Sequence, residues 1–429
     1  MKYMVLMLFS AAVILMPYVD VMAGLSIYNI MLFFFMLAYV MTSVLKGDVV
    51  LDNNIFIMFI LLSVAYVLVC VNPNIQGDVL SYKNIKVFMF PLVILIGISV
   101  VLKTLNEHKF FLLTLIISLA ISTFVAVLQY FDIDAAWNLR MLIDVPEDKI
   151  VYLQINERIK PSGLAYFSVQ LSYQIITFFP FVFYLYVIEK NPLNKRWIFI
   201  LGVLVVLGAL AINSVTAIMC IILSIMAIYK WPDIQGVSRI FKVAMYIIPV
   251  LLVLTILGFM DRVWSLDSSA LSRVPMFIAG ITMISEHPFG ANYSEIANIK
   301  SSLSAQDWFI SLTGSSQVIK TGLHNSFLTV AVQSGLHVFI IYLLIYGYTI
   351  SLTLRQSLNV KLSLESRIFY RVSLIAVVAF IMQSSMHNAG LPTGDAFGWL
   401  LLGIIFSFDR ILKQSVKVVS DKFLNNDSV

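Results

Sequence analysis

Apolar runs of roughly twenty residues, recurring about twelve times between short polar breaks, constrain this chain more than any motif does. A bilayer core of about 30 Å takes roughly 17–25 apolar residues per helix. Candidate spans fall near 3–18, 24–45, 53–71, 85–102, 109–131, 166–188, 197–213, 214–230, 243–260, 324–352, 368–388 and 395–412. Of the 429 residues, 60% are hydrophobic and only 12% charged, with a mean hydropathy of +0.94. A soluble exterior cannot be built from that mixture, so the expected class is all-α and polytopic in a membrane. The first run, from Tyr3 to Pro17, has no small-residue cleavage site and reads as a span that stays. Cys70 and Cys220 both lie in apolar surroundings and imply no disulfide framework.

Charge decides how the spans thread. No ionisable residue occurs between Arg196 and Lys230, so 197–230 is either one long helix or a hairpin. A hairpin turning at Asn213-Ser214 keeps the flanking basic clusters on one side, as the positive-inside rule prefers. With it, both chain ends face the cytoplasm. Cytoplasmic segments then carry 18 of the 28 Lys+Arg but only 9 of the 23 Asp+Glu. Two extracytoplasmic loops are long enough for chemistry, 132–165 and 261–323 within the single membrane domain 1–429, the second joining spans nine and ten. Aspartate, glutamate, lysine and arginine stay near span ends, which weighs against an ion-coupled transporter.

The most telling stretch is Gly322-Leu323-His324-Asn325-Ser326-Phe327-Leu328, where the longer loop meets a span. A histidine ionising near neutral pH suits proton removal from a hydroxyl. The same pair equally reads as structural, with Asn325 capping a helix. His337 falls about 20 Å further along that expected helix, at roughly 1.5 Å per residue, and reads as a packed histidine. His108 reads as cytoplasmic, while His287 and His387 join His324 at the outer face. No i, i+4 or Cys/His spacing among them supports a metal site, and neither metal nor cofactor is expected.

Arginine is the second signal, because its guanidinium grips phosphate bidentately and stays charged. Arg158 and Lys160 precede Pro161-Ser162-Gly163, and Arg262 and Arg273 lie early in the longer loop. Each alone reads equally as a headgroup anchor or a solvated ion pair. Asp132-Ile133-Asp134 has the look of a nucleotide-sugar metal pair but sits on the outer side, so it reads as a helix terminus. Asn292-Tyr293-Ser294 is a chance-level glycosylation pattern. The basic residues follow membrane topology, so nucleic acid is not an expected partner.

Taken in order, these stretches resemble the O-antigen polymerase and ligase superfamily, membrane glycosyltransferases using polyprenyl-diphosphate-linked glycans. Arg158-Ile159-Lys160-Pro161-Ser162-Gly163-Leu164 is similar to the family's Arg-x-x-Gly-like stretch before a span. Arg273 with Ile284-Ser285-Glu286-His287-Pro288-Phe289-Gly290 is similar to its Arg…His-Pro-x-x-Gly run. His324-Asn325-Ser326-Phe327-Leu328 with Gly335 is close to its His-Asn-x-x-Leu…Gly pattern. The chain departs from the family at Asn213-Ser214-Val215-Thr216, where Ser-Arg is common, and after Gly335, where Gly-x-x-Gly is common.

The resemblance implies a GT-C-like helical fold in a bacterial inner membrane, with the active face periplasmic. It implies an undecaprenyl-diphosphate-linked oligosaccharide as donor and needs no metal. His324, Arg158 and Arg273 become the catalytic candidates; Asn325, Lys160, Arg262 and His387 become substrate contacts. The expected function is polymerisation of lipid-linked repeat units, and a chain-length regulator is an expected partner alongside membrane lipids. The grounds for preferring polymerase to a ligase onto lipid A–core are that acidic residues outnumber basic ones in the two long loops. A lipid-linked sugar flippase or exporter is the alternative from another class, and it would need intramembrane charges to line a polar cavity.

Overall fold

The computed structural model describes residues 2–15, 20–22, 25–26, 37, 41, 44–47, 53–72, 82–141, 154–155, 158–159, 161–165, 167–229, 273–291, 293–304, 306–307, 310, 323, 325–387 and 396–426, some of them through the backbone alone. The chain is an all-α membrane protein. Six helices among the described residues are long and apolar enough to cross a bilayer. These are α2 (Asn53–Cys70), α4 (Leu105–Tyr130), α6 (Ser168–Ile188), α7 (Pro192–Ala211), α12 (Leu336–Ser357) and α13 (Leu364–Met386). Packed with them are α1 (Lys2–Leu15), α3 (Tyr82–Val101), α8 (Val215–Tyr229) and α14 (Ala396–Asn426). Shorter helices α5 (Asp134–Met141), α9 (Arg273–Glu286), α10 (Tyr293–Ser304) and α11 (Ser326–Ser334) lie in the connections. Two tiny antiparallel ladders complete the described elements, β1 (Asp20–Met22) with β2 (Leu25–Ser26) and β3 (Gln154–Ile155) with β4 (Arg158–Ile159).

Named bonds fix the direction of each helix. At one end Lys2 pairs with Glu107 at the start of α4, and Lys109 pairs with Glu365 at the start of α13. There Asn54 of α2 donates to Asp409 of α14 (2.9 Å), and Arg410 donates to the Leu102 carbonyl after α3. At the other end Gln129 of α4 meets the turn before α6, and Asn72 after α2 donates to the Phe289 carbonyl. These we call the Lys2 end and the Gln129 end. The spans alternate between them as the hydropathy expects. The hairpin at 213–214 is present: α7 stops at Ala211, Asn213 takes φ +48°, and α8 starts at Val215. Ser214 meets Ser172 at the Gln129 end, and Cys220 further along meets the Ala379 carbonyl, so α8 returns toward the Lys2 end. The expected span 243–260 lies outside the described residues, as does most of 24–45, where Leu25–Ser26 forms a strand and Leu37, Met41, Val44 and Leu45 are helical.

Local sequence explains where helices start. Thr104-x-x-Glu107 forms a capping box on α4, each side chain taking the other's backbone N–H. Asn191 caps α7 ahead of Pro192, whose fixed φ suits the first turn. The core that follows is aromatic and close-packed. Phe369 stacks on Phe408 at 3.7 Å between centroids, and the His108 ring meets both edge-on.

Three expectations are corrected. His108, expected just outside the span 109–131, lies inside α4, which begins at Leu105; its ring is buried and its Nε2 lies 2.9 Å from the Ile404 carbonyl. The single span at 324–352 is two helices, because α11 ends at Gly335 (φ +95°) and α12 continues to Ser357. His337 therefore stands in the first turn of α12, beside the break, and not deep along one helix. Finally, the span expected at 395–412 runs on to Asn426, which puts Asp409 and Arg410 mid-helix and almost fully buried.

Candidate functional site

The Gln129 end gathers the three sequence stretches quoted above. The second and third bond directly to each other. Helix α9 packs against α11 through Gly280, which lies against Leu323 and Leu328. Ala279, Met283, Leu303, Leu323 and Val332 close a small apolar core of their own across α9, α10 and α11. Beyond α9 the chain turns through His287-Pro288-Phe289-Gly290, with Gly290 N–H donating to the His287 carbonyl at 2.9 Å. Leu336 N–H then donates to the Pro288 carbonyl (2.8 Å) and Ala291 N–H to the Val332 carbonyl (2.9 Å). The break after α11 thus has its exposed amide taken up by the His-Pro-Phe-Gly turn, which answers the orphan groups of a helix end.

Two glycines make that joint possible. Gly290 has φ +98° and Gly335 φ +95°, a region that side chains rarely adopt. A Cβ on Gly335 would stand 2.7 Å from the Phe289 carbonyl oxygen, and one on Gly290 would stand 3.0 Å from the Gly335 nitrogen. Backbone meets backbone there, and Asn72 anchors the same Phe289 carbonyl to α2.

At the start of α11, Asn325 accepts from Leu328 N–H at 3.0 Å and caps the helix. Ser326, fully buried, donates its hydroxyl to the His387 carbonyl at 2.7 Å. His387 itself ends α13 and is half-buried. One turn back along α13, Gln383 donates to Ser172 (3.1 Å), which shares a hydrogen bond with Ser214 (2.9 Å). So the α11 start, the α13 end, the α6 start and the α7–α8 turn are tied together through neutral groups.

The first stretch belongs to the same end. Arg158 sits on β4, paired with Ile155 in the short hairpin, and Pro161-Ser162-Gly163-Leu164 follows it into α6. Arg158 and Arg273, the latter opening α9, are described through their backbones only. His324, Lys160 and Arg262 lie outside the described residues. Of the sequence-derived candidates, Asn325 therefore has a placed side-chain bond, while His387 is tied to the start of α11 through its backbone carbonyl, which takes the Ser326 hydroxyl. Asp132 takes φ +55° between α4 and α5, matching its reading as a helix terminus. His287 Nδ1 lies 3.9 Å from a Glu295 carboxylate oxygen. Among the described residues no three His, Cys, Asp or Glu side chains gather as a metal-binding set.

Sequence reasoning missed Asn72, Ser122 and Gln129. Gln129 and Asn72 are polar residues at the ends of apolar runs, which is a signal that could have found them, whereas Ser122 sits beside Thr123 in a span and offers none. No protein-family model matches the chain, and no curated protein matches it.

Proposed function

We propose that the protein is a membrane glycosyltransferase of the O-antigen polymerase and ligase type, joining undecaprenyl-diphosphate-linked repeat units at the periplasmic face of a bacterial inner membrane. The observation that carries this reading is the glycine joint. The turn His287–Gly290, downstream of Arg273, is bonded to the helix that Asn325 opens immediately after His324. Segments that the sequence separates by dozens of residues meet at the end of the bundle where the Arg158 stretch also lies.

In the proposed reaction an acceptor hydroxyl of one lipid-linked repeat attacks the anomeric carbon of another chain. The new C–O bond forms as the bond to diphosphate breaks, and the electron pair leaves with undecaprenyl diphosphate. His324 takes the hydroxyl proton, a general-base role suited to imidazole at neutral pH. Arg158 and Arg273 stabilise the charge that develops on the leaving diphosphate, work best done by fixed donors in a partly dehydrated site. Asn325 spends its side-chain oxygen on the Leu328 amide, so its part is to hold the helix start beside His324. Lys160, Arg262 and His387 serve as contacts for phosphate or sugar.

A strain deleted for the gene tests the reading on a lipopolysaccharide gel. A polymerase predicts core carrying a single repeat with the ladder gone. Bare core with polymer stranded on its lipid carrier would mean a ligase, and an unchanged ladder would refute both.

A further inference from the structure

The turn Pro161–Leu164 is held more tightly than a surface connection needs. Gln129, 1% exposed near the end of α4, accepts from Ser162 N–H (3.0 Å) and Gly163 N–H (2.9 Å) through its amide oxygen. Its amide nitrogen donates to the Gly163 carbonyl and to the Ala136 carbonyl of α5, both at 3.2 Å. About two turns earlier on the same helix, buried Ser122 accepts from Leu164 N–H at 3.1 Å. Gly163 takes φ +59° with its backbone pressed on Ser122, where any Cβ would meet the Ser122 carbonyl. A glutamine side chain with two donors and two acceptor sites is thereby fully used on backbone groups. Such groups left unpaired in an apolar bundle would be costly, so the clamp has one stable arrangement.

What the clamp holds is informative. Arg158 is four residues before Ser162, a tether of at most about 14 Å at roughly 3.5 Å per residue. Its backbone is further restrained by the Ile155–Arg158 pairing, and Pro161 fixes one dihedral between the two. Arg158 thus joins α6 through the turn that Gln129 and Ser122 hold.

We propose that Gln129 and Ser122 are positioning residues for Arg158: by clamping Pro161–Leu164 to α4 they fix where the guanidinium meets the leaving diphosphate. This rests on the role given to Arg158 under the proposed function. Neither residue touches substrate; both act through the backbone of the turn.

A double-mutant cycle with Arg158→Ala separates positioning from mere stability. The full chain is purified, reconstituted in phosphatidylethanolamine and phosphatidylglycerol vesicles, and given lipid-linked repeat units extracted from the source strain. The readout is the rate of undecaprenyl diphosphate release. Gln129→Asn, too short to span the turn, should lower kcat on the order of 100-fold, the cost of a displacement of about 1 Å, with KM changed by less than about threefold. Ser122→Ala, which frees only Leu164 N–H, should cost on the order of 10-fold and carries the cycle if Gln129→Asn does not fold. In the Arg158→Ala background either substitution should cost less than about twofold. Equal losses in both backgrounds would overturn the proposal, because a structural defect is indifferent to residue 158. An active wild type with an equally active Arg158→Ala would also overturn it while leaving polymerisation intact. No release by the wild type would instead refute the proposed function, and the positioning role with it.

Discussion

The two ends of this bundle are fastened by different chemistry. At the Lys2 end the ties are charged. Asp409 is held by Asn54 (2.9 Å), Tyr370 (2.8 Å) and Lys413 (2.6 Å), while Lys2–Glu107 and Lys109–Glu365 staple α1, α4 and α13. At the Gln129 end the ties between helices run through amides, hydroxyls and backbone: Gln129 on the 161–164 turn, Gln383–Ser172–Ser214, Ser326 on His387, and Gly290 against Gly335. Long charged side chains tolerate small shifts, whereas backbone contacts between glycines do not. The Lys2 end is built to hold, and the Gln129 end is built to place.

That contrast is open to attack at both ends, and the largest effect should come from the joint. Gly335→Ala imposes a side chain at φ +95°, a strain of about 1–3 kcal/mol, and forces the Phe289 carbonyl to move. The rate of the glycosyl transfer we propose should fall at least tenfold, while the thermal midpoint in detergent drops only by the amount that strain accounts for. If the rate per folded molecule stayed at the wild-type level, the joint would be scaffolding only.

Next comes the buried carboxylate. Asp409→Ala strands the Asn54 amide and the Tyr370 hydroxyl, each worth about 1–3 kcal/mol when left unsatisfied. Tyr348 also donates to Asn54 (2.6 Å), so part of the network survives. Melting should shift strongly downward while activity per folded molecule is unchanged, and a specific loss of activity would erase the distinction between the ends. The smallest effect is Lys109→Ala. Its side chain is 33% exposed and that of its partner Glu365 40%, and such pairs contribute at most about 1 kcal/mol. A melting shift larger than that would mean this end is cooperative beyond its individual ties.

Hydropathy made most of the bundle legible, since each span is a run of apolar residues that has to be helical to satisfy its backbone in lipid. The 213–214 hairpin was legible too, through the charges on either side of it. The break at Gly335 was not, because Leu336 and the residues after it continue the apolar run without a change in hydropathy. Gln333-Ser334-Gly335 was the available signal, a glycine placed where a helix can end with positive φ. Burial of Asp409, Arg410 and His108 was hidden for a related reason: sequence shows that a charge is near a span end but not which helices flank it. In the candidate site, Asn325 was read both as a cap and as a substrate contact, and the geometry supplies the cap. Gln129 went unseen because its partners are backbone atoms from a turn more than thirty residues away.

The chemistry we propose belongs to the Gln129 end, with His324 as base. It is tested most directly by giving the purified chain its lipid-linked repeat units and following both glycan length and released undecaprenyl diphosphate. The wild type should lengthen the glycan with one carrier released per bond formed. His324→Ala, reconstituted at equal amount and with an unchanged melting profile, should release none. Lengthening at the wild-type rate by His324→Ala would rule out His324 as the base, and no turnover by the wild type would rule out the polymerase reaction.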